Sequence, residues 1–336
     1  MKKALFLALS LAFLLTACGE TTLPDTSEQN PVDNSQETTL PESCLLYYDL
    51  GNANVLAEDK SLPLAQNEGD GYQTSYSVWY DGEYQDLALQ DGDNGISVAD
   101  MTGGSAAFDY GAGLVIWNGE RYHCAHLTAQ DSYIPNISPN IPGGILLLEI
   151  SGDCWADGGT DDVACFTGFG TVVICGSGTL RIDGAGIGSS AAVDTLSSLP
   201  VLMLDGPALT LDRLYLSDRA CDDGTPSLFV RSGSLDSDTL VLSGDLCIAG
   251  GSVKMRYIDG VSNAVFRGGT FETDQWDSML VPTLILSGGD ATCTDWLPQG
   301  TSIEVGAGTM TANGIRYWDT VHVYDGGEIV DPMDNT

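Results

Sequence analysis

The stretch VVICGSGTLRIDG, residues 172–184, decides the fold. An apolar, strand-forming run meets a Gly-Ser-Gly break, and a second run then alternates apolar with polar residues. The same strand–glycine–strand unit returns in LLLEISGDCW, VLMLDGPALTL, LFVRSGSLDS, LCIAGGSVKM, AVFRGGTFET, LILSGGDATC, IEVGAGTMTA and VHVYDGGEIV. The residues just before each second strand are Gly152, Gly178, Pro207, Gly233, Gly251, Gly269, Gly289, Gly308 and Gly327. They are separated by 26, 29, 26, 18, 18, 20, 19 and 19 residues. A period near 19 that widens where loops intrude marks a solenoid. One unit has only two or three short strands and cannot bury its own apolar residues. Stacking neighbours makes the core.

The strands are rich in Val, Ile, Leu and Thr, and no i, i+3, i+4 pattern follows the first apolar run. These features predict an all-β chain in which residues 139–331 form a right-handed parallel β-helix, with a tail at 332–336. Rungs at about 4.8 Å make this a rod some 40 Å long. A β-sandwich or a propeller, whose strands also recur between turns, is the competing architecture. Residues 44–138 read as a small antiparallel β domain. In it VWYDGEYQ (78–85) and VIWNGERY (115–122) place Asp-Gly and Asn-Gly between aromatic-rich strands. That is the signal of a two-residue hairpin, because both central residues need positive φ.

The N-terminus reads MKKALFLALSLAFLLTACGE. Two lysines precede an apolar run too short for a membrane span, as in a secretory signal. Its end, Leu15-Thr16-Ala17-Cys18, resembles the lipobox of bacterial lipoproteins. The resemblance implies cleavage of residues 1–17 and acylation of Cys18, an extracytoplasmic anchor of two or three chains. Residues 19–43 hold six acids, three prolines and no basic or aromatic residue. They cannot bury enough apolar area to offset ordering and read as a tether of about 25–30 Å. With Cys18 they form the segment 18–43.

Across 336 residues, 12 Lys and Arg face 47 Asp and Glu, a net charge of -35. Such a chain repels phosphate backbones, which excludes nucleic acid as a partner. It concentrates divalent cations instead. Acids cluster at the two widest rungs: Asp157, Asp161 and Asp162 (with Asp153 beside them), then Asp218, Asp222 and Asp223. Carboxylates with nearby carbonyls supply the oxygens that Ca²⁺ takes, although neither cluster follows the EF-hand loop. Solvated loop acids are the alternative.

The segment ILLLEISGDCWADGGTDDVACFTGFGTVVICGSGTLRIDG resembles bacterial surface proteins with carbohydrate-binding β-helix domains. Their pattern is a leucine-rich strand, Ser/Thr-Gly, a loop, and a Thr-Ile-x-Gly-x-Gly-x-Leu strand. The chain departs from it at Asp153-Cys154-Trp155, where an Asn is usual. The likeness is carried by residues 143–184 and, more weakly, to 331. It implies a lipid-anchored or secreted acidic protein related in fold to polysaccharide lyases, with bound calcium in some members. In lyase-like members an Arg acts as base toward a uronate C5 proton, a part that Arg213, Arg219 or Arg231 would take. Simple pairing of these arginines with Asp212 and Asp218 is the alternative.

Trp155, Trp276, Trp296 and Trp318 lie beside turns, where an exposed ring face stacks on a sugar and a covered one packs under a loop. His123, Cys124 and His126 share one strand, but only Cys124 and His126 share a face, and two ligands make no zinc site. Beyond Cys18, eight cysteines remain. In an exported chain they permit disulfides, with Cys154–Cys165 the local candidate, or serve as small buried apolar residues. The function these readings favour is a lipid-anchored surface protein that binds polysaccharide without turnover. A Ca²⁺-dependent polysaccharide lyase and a structural or adhesive protein with a protein partner are the alternatives.

Overall fold

In a computed structural model of the chain, the described residues are 75–80, 83–88, 107–117, 120–134, 136–139, 144–157, 164–166, 168–188, 199–217, 226–242, 244–277 and 281–333. Among them there is no α-helix, only the single 3-10 turn Ile315–Tyr317. The predicted leader 1–17, Cys18 and the tether lie outside the described residues.

The described residues are all-β, and most of them belong to one large, predominantly parallel sheet wound in a solenoid-like arrangement. Its first face starts at Ile145–Ser151 and Thr171–Gly176 and ends at Gly300–Val305 and Thr320–Val323. Leu148, Ile174, Leu204, Val230, Ile248, Phe266, Leu286 and Val305 stand one above the next along it. All eight are buried. On the second face, Asp153 pairs with Thr179, Thr179 with Ala208, Ala208 with Ser234, and so on through Ser252, Thr270, Asp290, Thr309 and Glu328. These offsets are the spacings of the glycine-marked residues in the sequence. A third face carries Leu214, Leu240, Ile258 and Trp276 inward. The long strands Val201–Tyr215 and Leu228–Val241 run through all three faces.

Inside, the faces close on aliphatic and aromatic side chains. Phe271 bridges them at one level, its ring 4.9 Å from Phe266 and 5.8 Å from Trp276. Each such ring contributes about 1.5–3 kcal/mol through the apolar area it removes from water. At the corner between first and second faces the glycines stack. Gly251, Gly269 and Gly289 have φ of +79°, +76° and +79°, and a Cβ at Gly269 would collide with the carbonyl of Gly251. Only a residue with no Cβ lets successive rungs sit this close while turning through positive φ.

The antiparallel part differs from the sequence reading. Ser75–Tyr80 and Glu83–Ala88 form the expected hairpin, pairing Tyr80 with Glu83, and join Asn136–Pro139 in a three-stranded sheet. The second hairpin, Ala107–Trp117 with Glu120–Gln130, pairs Trp117 with Glu120. It does not stay with the first. Ala125 pairs in parallel with Leu146, so this hairpin continues the large sheet. The pairing therefore crosses the boundary expected at residue 138. The reason is legible afterwards: Leu127 and Ala129 are apolar on the side where Leu148 and Ile150 need a neighbour.

The local disulfide is not formed. Cys154 is a free thiol, so it does not bridge Cys165, and both are buried, as are Cys175, Cys247 and Cys293. They act as small apolar residues within the stack. Burial pushes the Cys175, Cys247 and Cys293 thiols up to about 12, so none is a nucleophile at neutral pH.

Candidate functional site

Where the second face turns into the third, the alternation of buried and exposed residues breaks. Leu209 to Leu214 read buried, exposed, buried, exposed, exposed, buried. Two adjacent side chains then point outward at the bend. The same doublet recurs on neighbouring rungs as Asp212-Arg213, Asp238-Thr239, Arg256-Tyr257 and Asp274-Gln275. Together they line an open cleft of about 480 Å³. Arg256 lies between Asp238 and Asp274 in one row, so a single guanidinium is flanked by carboxylates at rung spacing. The row continues to Thr294, whose hydroxyl donates to the Asp274 carbonyl at 3.1 Å.

Two aromatic pairs lie on rungs outside the cleft, Trp155 two rungs before its first strand and Trp296 one rung after its last. Trp155, 48% exposed, lies 6.4 Å from Tyr133 on the first rungs of the second face. Trp296 and Tyr317, 40% and 54% exposed, lie 5.8 Å apart with rings tilted by 38°. The Trp296 ring rests on Gly314, where a Cβ would strike it. The other two tryptophans proposed from sequence as sugar contacts present no face to solvent. Trp276 is 4% exposed and packs edge-on against Phe271. Trp318 is 6% exposed and packs on Gly300. Both point into the core because they fall at inward positions of the rung.

Beside the cleft, the Tyr257 hydroxyl donates to Asp277 at 3.5 Å, and Asp259 is in register with Asp277. Burial and then the charge of Asp277 raise the Asp259 carboxyl, against an opposing hydrogen bond from the Gly260 N–H. Burial first, then Asp259 and Asp277, raise the Tyr257 phenol. The folded state thus holds the Asp259 proton more tightly than the unfolded chain. That stabilisation is complete below the ordinary carboxylate value of 3.8 and is lost as pH rises through the raised folded value. Asp259→Asn should therefore stabilise the protein at pH 7 by about 0.5 kcal/mol, by removing a partly buried charge and, second, its repulsion with Asp277. The gain should vanish near about pH 3. Melting curves at the two pH values check this, and a destabilised variant at pH 7 would contradict it.

Of the other residues singled out in the sequence, Arg213 lines the cleft. Arg231 pairs with Asp205 at 3.2 Å on the first face, away from it. Arg219, Asp161, Asp162, Asp218, Asp222 and Asp223 lie outside the described residues. Asp157 ends the strand Asp153–Asp157, with only its backbone position described. Asp153 accepts a hydrogen bond from Thr179 at 2.7 Å. His126 bonds Glu149 at 3.0 Å. Among the described residues, no group of three or more His, Cys, Asp and Glu is arranged to hold a metal ion.

Asp238, Arg256, Tyr257, Asp274 and Tyr317 were not singled out in the sequence. The signal for the first four was the polar doublet that interrupts period two, which marks a bend. No family model, curated protein or solved structure matches the chain. Its candidate site therefore rests on geometry alone.

Proposed function

We propose that the protein is a lipid-anchored, extracytoplasmic surface protein whose right-handed parallel β-helix binds an extended glycan. The observation that carries this reading is the exposed Trp155, beside Tyr133, and the exposed Trp296–Tyr317 pair, on rungs either side of those that line a polar cleft. Sugar rings stack their C–H faces on aromatic rings, and carboxylates, guanidiniums and amides bond their hydroxyls. Asp238, Arg256 and Asp274 supply such groups at one rung spacing, about 4.8 Å, with Gln275 beside Asp274. From the platform at Trp155 to that at Trp296 the track spans about six rungs, on the order of 29 Å. The lipobox-like Leu15-Thr16-Ala17-Cys18 supports the anchor. The acidic tether supports display away from the lipid surface.

A glycan array tests this reading. Wild-type protein should be retained on at least one class of polysaccharide, and Trp296→Ala should weaken that retention at least tenfold. The variant should melt with the wild type, because Trp296 is exposed. An EDTA arm reports whether Ca²⁺ takes part. Retention without release of unsaturated product supports a binding module. Rising ultraviolet absorbance from unsaturated uronate would instead favour a lyase using Arg213, and no retention on any glycan would overturn the proposal.

A further inference from the structure

The corner between the first and second faces is held the same way on rung after rung. A glycine turns the chain, and its carbonyl accepts the N–H of the residue just past the next rung's corner. Gly152 accepts from Thr179 at 2.8 Å, Gly178 from Ala208 at 3.0 Å, and Gly251 from Thr270 at 2.9 Å. Gly269 accepts from Asp290 at 3.0 Å and Gly289 from Thr309 at 3.2 Å. At the start of this series, Asp153 follows the corner Gly152, and its N–H also has to be satisfied from the rung below.

The rung below has no corner glycine. Gln130 is in register with Ser151, so the next residue, Asp131, falls at the level of Gly152, 21 residues before it. Tyr133 is in register with Trp155. Only Ser132 therefore lies between Asp131 and Tyr133, where Asp153 and Cys154 lie between Gly152 and Trp155. With one residue fewer in the corner, a side chain takes over the part of the glycine carbonyl. Asp131 Oδ1 accepts the Asp153 N–H at 2.9 Å, and the Asp131 N–H donates to the Ser151 carbonyl at 3.1 Å. The two bonds straddle Gly152, and a Cβ there would collide with the Asp131 carboxylate. Asp131 has φ +47°, the positive region that the corner glycines Gly152 and Gly251 also occupy. Aspartate is one of the few residues with a side chain that visits this region, because its short polar group bonds locally.

The same turn holds the exposed Trp155. The Ser132 carbonyl accepts the Trp155 N–H at 3.2 Å, and the Tyr133 ring stands 6.4 Å from the indole. On its upper side the strand Asp153–Asp157 pairs with Thr179–Asp183 over five residues. On its lower side, among the described residues, only Tyr133 and Ile134 pair with it. The bonds made by Asp131 thus carry a large share of what fixes this strand from below. A backbone N–H bonded to a carboxylate is among the stronger hydrogen bonds a chain can make.

We infer that Asp131 is a positioning residue for Trp155. It forms the corner of a further rung in place of glycine, and its carboxylate supplies the acceptor that fixes Asp153 and the strand bearing the indole. The consequence for affinity rests on the glycan reading of the cleft and its flanking aromatic residues.

Fluorine NMR of the full mature chain labelled with fluorotryptophan tests the placement without any glycan, the Trp155 resonance being assigned from Trp155→Phe. Asp131→Asn keeps an acceptor and the tolerance for positive φ, and should leave that resonance where the wild type has it. Asp131→Gly keeps the turn and loses the acceptor, and should move it toward the value of free tryptophan. The resonances of the buried Trp276 and Trp318 should stay in place in both. On the glycan class retained by the wild type, Asp131→Gly should weaken affinity about threefold or more, and Asp131→Asn should restore it. In a Trp155→Ala background the same Asp131→Gly change should make no further difference. A Trp155 resonance unmoved by Asp131→Gly, or moved equally by Asp131→Asn, would overturn the inference. So would an equal loss of affinity with and without Trp155. Displacement of Trp276 and Trp318 along with Trp155 would overturn it too, by making Asp131 a support of the whole rod. If the wild type is retained on no glycan, the glycan reading falls and the Trp155 resonance alone decides the role of Asp131.

Discussion

Gly269→Ala should lower the unfolding free energy by about 3 kcal/mol or more. Two costs combine. The residue has φ +76°, a region where an L side chain costs about 1–2 kcal/mol. A Cβ there would also run into the carbonyl of Gly251 on the preceding rung, and that rung is itself held by Gly233. The neighbour is backbone and cannot swing aside, so the rungs must separate and lose hydrogen bonds such as Thr270 N–H to Gly251 carbonyl at 2.9 Å. Gly326→Ala is the control. Its φ is +92°, but the nearest atom to a Cβ is the Gly306 carbonyl at 3.7 Å, an ordinary contact. It should cost only about 1 kcal/mol. Denaturant midpoints at unchanged slope measure both. Equal losses would mean that the stacked glycines serve the turn and not the approach of rungs.

Phe271→Ala should cost about 3–5 kcal/mol, the range for a large buried ring removed from a packed core. Phe271 touches Phe266 from the first face and Trp276 from the third, so its loss opens a hole shared by all three. Phe271→Leu keeps most of the volume and should cost less than about 1.5 kcal/mol. Trp276 provides a second readout, because its fluorescence should shift to the red as water enters in the Ala variant alone. A loss below about 1 kcal/mol for Phe271→Ala would show that the three faces do not close on this ring.

The fold was legible in the sequence to the level of register. Interior stacking forces the same corner onto every rung, and the corner needs glycine, so the spacing of Gly233, Gly251, Gly269, Gly289 and Gly308 became the pairing of the strands. The hairpin turns were legible for a similar reason, since Asp-Gly and Asn-Gly answer a local demand on φ. Membership of the second hairpin in the large sheet was not. Strands of both kinds show the same composition, and only pairing of Ala125 with Leu146 distinguishes them. The tryptophans show the same limit. Trp276 and Trp296 both sit near turns, but Trp276 falls at an inward position and Trp296 at an outward one, which depends on a bend at the polar doublet. The cleft itself is a product of that bend, so its residues are scattered over four rungs and form no motif.

The most direct test of a glycan lying along the cleft is affinity as a function of oligosaccharide length, for the glycan class retained on the array. Binding of successively longer fragments is followed by Trp fluorescence in the wild type, Trp155→Ala and Trp296→Ala. The account predicts affinity that rises until the fragment reaches about 29 Å and then levels off, as the chain comes to touch both platforms. Removing either exposed tryptophan should shorten the length at which it levels off. An affinity already complete for a single sugar, or unchanged in both variants, would contradict the account.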